Sequence, residues 1–449
     1  MQAKPLSSGT VARYSLGSLG TGGFATLPGL VLVYYLTDTL GIAAAVAGIA
    51  ITVAKIWDIV IDPVIGSLSD RSYAKKGSRR GPMILGSILL PIFFTLTFAA
   101  PTGLSMTASA IWVTVAFLLA ATAFSIFQVP YVALPAEIGT NYDDRTRLLT
   151  WRVVVLTLAI LLFGAGGPEL RGLFPDNAPL GYLVMGLTAG IVIGIGFLIA
   201  SFTAPKTKPL LEVPKFNLVQ AYRGSIAVIR DSQPFRSLLG TFMLQALATG
   251  LMLAGAQFVA TWVLGDEGAV TVLFVSLIGP ALLVTPLWQV VAKRIGKERG
   301  FVYASMLYLI ATIALIGMVF KPGWWIIAPV ALAGAAYAGM QSLSMAMLPD
   351  VIRIDANKRK IDRAGVFGGT WTAGETTGMA FGATLLTIVL SLTGYLERTS
   401  TAAVADQPES AIAGIALSFS AIPALIMFLS LLVFRRYSLS RSDFIKEEV

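Results

Sequence analysis

The stretch AVAGIAITVAKIWDIVIDPVIGSLSDRSYAKKGSRRG, residues 45–81, joins a long apolar run to a short and strongly basic turn. The apolar part is as long as the roughly 20 residues that a helix needs to cross the hydrocarbon core of a bilayer. Basic turns beside apolar helices are typical of the cytoplasmic side of membrane proteins. This stretch therefore predicts a membrane-spanning helix that ends in a cytoplasmic connection.

The same alternation of apolar runs and polar connections continues along the whole chain. Of its 449 residues, 56% are hydrophobic and 13% are charged, whereas charged residues make up about a quarter of a soluble globular protein. We therefore predict an all-α membrane protein with twelve transmembrane helices. The predicted spans are 14–37, 43–69, 82–101, 107–134, 148–168, 178–203, 235–262, 269–292, 299–320, 325–349, 364–394 and 411–436.

The 33 Lys and Arg residues concentrate in every second connection. If the N-terminus is cytoplasmic, only Arg171, Lys321 and Arg398 fall on the opposite side, and Lys55 falls inside a span. The positive-inside rule gives this distribution, so we predict cytoplasmic N- and C-termini in a bacterial inner membrane. The net charge of +9 is then explained by topology, and no nucleic-acid partner is expected.

The chain contains neither Cys nor His. Their absence removes thiolate and imidazole ligands for metals and also the commonest general base. We therefore predict no enzymatic activity and no cofactor. An intramembrane enzyme built on carboxylates and hydroxyls, or a sensor, is the alternative from another class.

The two halves of the chain repeat each other weakly. SDRSYAKKGSRRG (69–81) matches AKRIGKERG (292–300), and NYDDRTR (141–147) has its counterpart in DANKRKIDR (355–363). Six plus six helices with matching halves is the arrangement of major facilitator transporters. The predicted limits are 1–203 for the N-terminal half, 204–234 for a cytoplasmic linker with a surface helix near 218–230, and 235–449 for the C-terminal half.

Segments along nearly the whole chain resemble the glycoside–pentoside–hexuronide cation symporter family, the group of melibiose permease. The most specific is KIWDIVIDPVIGSLSDRS (55–72), which is similar to the family's second-helix pattern of a basic residue, Trp-Asp and Asp-Pro. Further matching segments are YYLTDTLGI (34–42), QVPYVALPAEI (128–138), LPDVIRID (348–355) and GVFGGTWT (365–372). The resemblance implies a major facilitator fold that transports a small molecule by alternating access.

Two carboxylates lie within the second predicted span. Asp58 and Asp62 are one helical turn apart and share one helix face with Lys55. Intramembrane carboxylates are costly and usually face a polar cavity, where this pair could hold Na⁺ or one member could carry a proton. The alternative is that Lys55 only neutralises Asp58 in a packing network. The resemblance implies that both aspartates bind the coupling cation and that the hydroxyl of Ser125 assists.

The resemblance also implies positions for substrate contacts. Gln128 stands where melibiose permease has a sugar-binding aspartate, and Gly22 or Gly23 stands where the first helix supplies another. Galactoside specificity is therefore not implied. Arg152 corresponds to an arginine near the substrate cavity, where it could pair with an aspartate or bind a substrate oxygen; the alternative is an interfacial arginine that reaches the cytoplasmic surface.

Glu375 stands where relatives often carry a lysine. A carboxylate there disfavours an anionic substrate and favours a neutral polyol or a cationic solute. The alternative is that Glu375 only hydrogen-bonds a neighbouring helix. The remaining candidate contacts are three aromatic side chains and an amide, Tyr131, Tyr337, Trp371 and Gln341.

The connection after the second span resembles the cytoplasmic signature of the superfamily. Ion pairs in such a connection could lock neighbouring helices and open when the cavity changes sides, or the arginines could only enforce topology. The candidate gating residues are Asp70, Arg71, Arg79 and Arg80, with Asp350 directly after the tenth span.

Together these features predict symport of a small polar solute, a sugar or glycoside, coupled to Na⁺ or H⁺. We expect the protein to act as a monomer in the lipid bilayer. A lysophospholipid or another amphiphile is the alternative substrate, because the resembling family includes such carriers and three sugar contacts are missing, at Gln128, at Gly22 or Gly23, and at Val132, where melibiose permease has a stacking tryptophan.

Overall fold

A computed structural model describes residues 6–138, 142–206, 218–359, 364–397 and 406–439. Within these ranges, twelve helices are long and apolar enough to cross a membrane, which confirms the predicted number. In chain order they are α1 (Ser8–Thr39), α2 (Ala44–Lys76), α3 (Arg80–Thr97), α4 (Met106–Ile138), α5 (Tyr142–Gly172), α6 (Ala178–Ser201), α7 (Gln233–Val263), α8 (Ala269–Ile295), α9 (Lys297–Val319), α10 (Ile327–Arg359), α11 (Ala364–Leu392) and α12 (Glu409–Phe434).

Several helices extend further than the apolar runs that predicted them. α2 continues to Lys76 and α10 to Arg359, past the predicted ends at 69 and 349. Apolar composition marks only the part of a helix that lies in hydrocarbon, whereas backbone hydrogen bonding can continue into polar sequence. α2 ends at Gly77, whose φ of 67° is a left-handed conformation that glycine adopts without steric cost.

The first helix of each half ends in the same way. α1 closes with a π-helical turn over Tyr35–Thr39 and α7 closes with one over Val259–Val263. A left-handed glycine follows each turn, Gly41 with φ 65° and Gly265 with φ 73°. The first helix of each half therefore ends in the same backbone arrangement, a π-helical turn followed by a left-handed glycine.

The chain divides into two compact units, Met1–Leu218 with Glu397–Ala405 and Val219–Leu396 with Asp406–Val449. In the first unit α3 packs against α4 and α6, α1 packs against α5, and α2 packs against α4. In the second unit α9 packs against α10 and α12, α7 packs against α11, and α8 packs against α10. The weak repeat of the sequence thus corresponds to a repeat in helix pairing.

A helix at Leu218–Asp231 precedes α7, close to the predicted surface helix at 218–230. Val228 is buried on one face of this helix and Ile226 is exposed on another. The boundary between the compact units, at Leu218 and Val219, falls inside the stretch 204–234.

Glycines permit close backbone contacts inside both units. A Cβ on Gly86 would lie 2.8 Å from the backbone oxygen of Ala123 and 2.8 Å from the backbone nitrogen of Phe127, both on α4. A Cβ on Gly378 would lie 2.5 Å from the carbonyl oxygen of Met243 on α7. Because no side chain fits in such gaps, small residues let these helices approach.

Candidate functional site

The contact between α2 and α4 carries two of the predicted cation residues, Asp62 and Ser125. Ser125 on α4 is buried, and its Oγ donates a hydrogen bond of 2.5 Å to Oδ1 of Asp62 on α2. Hydroxyl groups make short and strong hydrogen bonds to carboxylates. The structure therefore brings Asp62 and Ser125 together. In the sequence, only the family resemblance predicted that these two residues act at one site.

Lys55 and Asp58 pair one turn earlier on α2. The Nζ atom of Lys55 lies 3.2 Å from Oδ2 of Asp58, and both side chains are partly exposed. Asp62 is more exposed than Asp58, and we find no ammonium or guanidinium group of the described residues paired with it. The packing interpretation of Lys55 thus accounts for Asp58, whereas Asp62 forms no ion pair with any residue that the structure describes.

A second hydrogen bond joins the same two helices. The Nε1 atom of Trp57 on α2 donates to Oγ1 of Thr122 on α4 over 2.8 Å. Thr122 and Ser125 are three residues apart and therefore share one face of α4. The sequence analysis missed Thr122, although this spacing of two hydroxyl residues inside an apolar span is a readable signal.

Polar contacts also link α4 to α1 in the first unit. The amide oxygen of Gln128 accepts a hydrogen bond of 2.9 Å from Oγ1 of Thr21. The Tyr131 hydroxyl donates to the carbonyl oxygen of Tyr14 over 2.9 Å. Arg152 lies with its guanidinium 5.5 Å from the centre of the Tyr131 ring, and its Nε is buried with no hydrogen-bond partner. Arg152 is therefore held inside the unit by an aromatic face.

Three predicted substrate contacts lie in the packed interior of their units. Gly22 lies against α5, where an added Cβ would be 2.8 Å from the Cβ of Ala159. Tyr131 and Trp371 are fully buried, and the Trp371 ring stacks on Phe242 with centroids 4.3 Å apart. A solute therefore has no access to these residues in this conformation, and their role as substrate contacts stays a prediction.

The other predicted contacts of the second unit lie together. The Nε2 atom of Gln341 on α10 donates to the Tyr337 hydroxyl over 2.8 Å and to Oε1 of Glu375 on α11 over 3.1 Å. Glu375 therefore accepts a hydrogen bond from a neighbouring helix, as the alternative interpretation of this residue predicts. Tyr337, Gln341 and Glu375 line a small cavity. Gln245 and Thr249 of α7 line it as well, and the sequence analysis missed both.

The described gating candidates form ion pairs inside each unit. Arg79 at the start of α3 pairs with Glu137 on α4, with 2.6 Å between Nε and Oε1. Asp350 on α10 pairs with Lys297 at the start of α9, with 2.6 Å between Oδ2 and Nζ. Sequence reasoning missed both partners, Glu137 and Lys297.

These pairs join helices of one unit, so they fasten that unit and give no support to the prediction that they open when the cavity changes sides. Arg80 lies with its guanidinium 4.0 Å from the centre of the Phe202 ring, also within the first unit. The side chains of Asp70 and Arg71 lie outside the described part of the structure.

Comparison with known proteins agrees with this arrangement. The family model described as MFS/sugar transport protein matches residues 13–441. The chain is similar to the glucuronide carrier protein homolog of Escherichia coli (strain K12), with 24% identity over 451 residues, 98% of this chain and 94% of the relative. It is also similar to an uncharacterised symporter of Synechocystis, with 23% identity over 534 residues, 98% of this chain and 96% of the relative.

Solved transporters share the fold. The crystal structure of a nucleoside transporter superposes with a TM-score of 0.67 at 12% identity, covering 95% of this chain and 100% of the transporter. Identity this low shows a common architecture and carries nothing about substrate.

Proposed function

Because the chain belongs to the MFS/sugar transport protein family, and is thus a multi-pass secondary transporter of the inner membrane, we propose that it is a cation-coupled symporter. Asp58 and Asp62 bind the coupling cation in this proposal. Its cargo is a small polar solute, a sugar or glycoside without an acidic group. The observation that carries the proposal is the hydrogen bond from Ser125 to Asp62.

This hydrogen bond fixes one oxygen of a carboxylate that has no cationic partner among the described residues. With Oδ1 held by Ser125 on another helix, the remaining oxygen of Asp62 is free to bind a ligand. Hard cations such as Na⁺ prefer oxygen ligands, and a carboxylate oxygen equally accepts a proton. The geometry therefore supports a cation site at the contact of α2 and α4.

The charges of this site favour one monovalent cation. Asp58 and Asp62 contribute two negative charges and Lys55 contributes one positive charge. A net negative charge at membrane depth is costly until it is neutralised. One Na⁺ or one H⁺ neutralises the site, and its departure restores the charge. The loaded and empty states thus differ by one unit of charge, which is the difference that coupling requires.

The second unit bears on the choice of solute. The relative in Escherichia coli is named for glucuronide, a sugar acid. In this chain Glu375 lines the polar cavity of the second unit, and no Lys or Arg lines that cavity. An acidic group would therefore meet a like charge there, whereas a single hydroxyl group of a sugar is small enough to enter and donate a hydrogen bond to Glu375. We infer a sugar or glycoside without an acidic group, with Gln341 and Tyr337 beside Glu375 in the second unit and Gln128 as a separate candidate contact in the first unit.

The test measures solute accumulation in proteoliposomes, with a panel of pentoses, hexoses and glycosides and a second panel of lysophospholipids. Asp62→Asn should abolish accumulation driven by a Na⁺ or H⁺ gradient, because the neutral amide cannot be charged and discharged. Asp176→Asn, on the exposed connection between α5 and α6, is the matched control. Undiminished gradient-driven accumulation by Asp62→Asn would overturn the proposal, and accumulation of lysophospholipids alone would overturn the sugar assignment.

A further inference from the structure

A small cavity in the second unit is lined by apolar side chains together with five polar residues from three helices. Gln245 and Thr249 come from α7, Tyr337 and Gln341 from α10, and Glu375 from α11. The free volume is about 10 Å³, which is about the room that a single water-sized group needs. The cavity admits one small ligand and no sugar ring.

The hydrogen bonds around Gln245 fix the orientation of its amide. The hydroxyl of Ser305 donates its single hydrogen to the carbonyl oxygen of Phe301 over 2.9 Å. Ser305 can therefore only accept a bond from Gln245, so the Nε2 atom of Gln245 must be the atom that lies 2.9 Å away. The opposite atom, Oε1, is buried and has no hydrogen-bond partner.

The residue that carries this unpartnered oxygen is only 2% exposed. A buried acceptor without a partner is costly, and native proteins seldom leave one empty. Because Gln245 lines the cavity, a ligand placed there can satisfy its oxygen. The ligand must therefore be a hydrogen-bond donor or a cation that oxygen atoms coordinate.

The cavity also holds a carboxyl group that can pair with a positive charge. One oxygen of Glu375 accepts a bond from Gln341, whose other amide hydrogen is used by Tyr337. The hydroxyl of Thr249 donates to the backbone oxygen of Gln245. The lining residues thus offer a carboxylate and several oxygens, and no Lys or Arg is among them.

We propose that this cavity binds a compact monovalent cationic group, which is either an alkali-metal ion such as Na⁺ or the ammonium group of a transported solute. Glu375 supplies the charge and the amide oxygen of Gln245 supplies a further ligand. The Tyr337 hydroxyl already accepts a bond from Gln341, and its second lone pair can supply another. The ammonium source rests on the proposed transport function. The Na⁺ source does not, because an ion can bind there whether or not a solute is carried.

The experiment uses the purified full-length chain with Asp58→Asn and Asp62→Asn, which removes the cation site of the first unit. The midpoint temperature of unfolding is measured against increasing NaCl, methylammonium chloride or choline chloride at constant ionic strength. A ligand that binds the native state raises this temperature in a saturable way. We expect saturation with Na⁺ or with methylammonium, and no specific shift with choline, which is too large for the cavity.

Substitutions of residues that line the cavity show which side chains bind the cation. Glu375→Gln should remove the saturable shift, Glu375→Asp should retain part of it, and Gln245→Leu should weaken apparent affinity roughly tenfold while leaving the charge in place. Thr376→Ala is the matched control, since the Thr376 hydroxyl bonds only within α11. A response to Na⁺ identifies an ion site, and a response to methylammonium alone identifies a subsite for a cationic solute.

The proposal is overturned if no salt gives a saturable shift while Glu375 is intact, because the cavity would then hold water or a protonated carboxyl. It is equally overturned if the shift persists in Glu375→Gln. Neither result bears on the coupling role of Asp62, which is tested separately by gradient-driven accumulation in the otherwise unchanged chain.

Discussion

Replacing Arg79 by Met should destabilise the first unit strongly. The Arg79 and Glu137 side chains are only 13% and 14% exposed, and Arg79 also donates a hydrogen bond of 2.8 Å from Nη1 to Oγ of Ser69. The Oε2 atom of Glu137 already has no partner. Removing one member of a buried ion pair costs about 3–5 kcal/mol, because the other charge stays buried. Allowing for the small exposure, we expect roughly 2–4 kcal/mol.

The pair of Lys297 and Asp350 provides the contrast. Its atoms are as close, at 2.6 Å, but its side chains are 40% and 23% exposed. Exposed pairs contribute about 0–1 kcal/mol because water screens both charges. Lys297→Met should therefore have a small effect, although the geometry of the two pairs is similar.

A double-mutant cycle separates these terms. The variants Arg79→Met, Glu137→Leu and their combination are unfolded by SDS titration in mixed micelles, with tryptophan fluorescence as the signal. The double variant should be more stable than Arg79→Met alone, because no buried charge is left unpaired. The reasoning is refuted if the two single effects simply add, or if Lys297→Met costs as much as Arg79→Met.

Three further predictions concern the cation site, helix packing and topology. Ser125→Ala should lower the apparent affinity for the coupling cation about tenfold or more, since a hydrogen bond to a charged group contributes about 1.5–3 kcal/mol. Ser125→Thr should keep most of this affinity, and equal cation dependence in the wild type and both variants would contradict the assigned role. Gly86→Ala should lower unfolding free energy by about 1–3 kcal/mol through overpacking, while Gly166→Ala, which meets nothing within 4 Å, should not destabilise the helix; equal losses would disprove the packing argument. Because the chain has no Cys, a membrane-impermeant maleimide should label Thr102→Cys in intact cells and Lys75→Cys only after permeabilisation, and the reverse pattern would invert the proposed orientation.

The number of spans was predictable because each crossing needs a long apolar run, and that requirement is local in sequence. The helix ends were less predictable. Ser8 begins α1, before the predicted position 14, and Lys76 ends α2, after position 69. Hydropathy changes where the hydrocarbon ends, whereas a helix ends where its backbone bonding ends, as at the left-handed Gly77.

The candidate site was only partly predictable for a different reason. The shared face of Asp58 and Asp62 follows from spacing within one helix. The partners Thr122, Glu137 and Gln245 depend on which face of one helix meets another, and periodicity within a span does not fix that register. Tyr131 fits an aromatic sugar contact by composition, but its burial is a property of the packed unit.

The π-helical turns that close α1 and α7 bear on how far each of these helices extends. Such a turn accommodates one residue more than an α-helical turn. Rewinding Tyr35–Thr39 or Val259–Val263 as α-helix would release that residue, advance the following chain by about 1.5 Å and rotate it by about 100°. The flexible backbones of Gly41 and Gly265 lie where that rotation would have to be absorbed. Such a rewinding would alter the reach of the leading helix in each half without unwinding the span that precedes the turn.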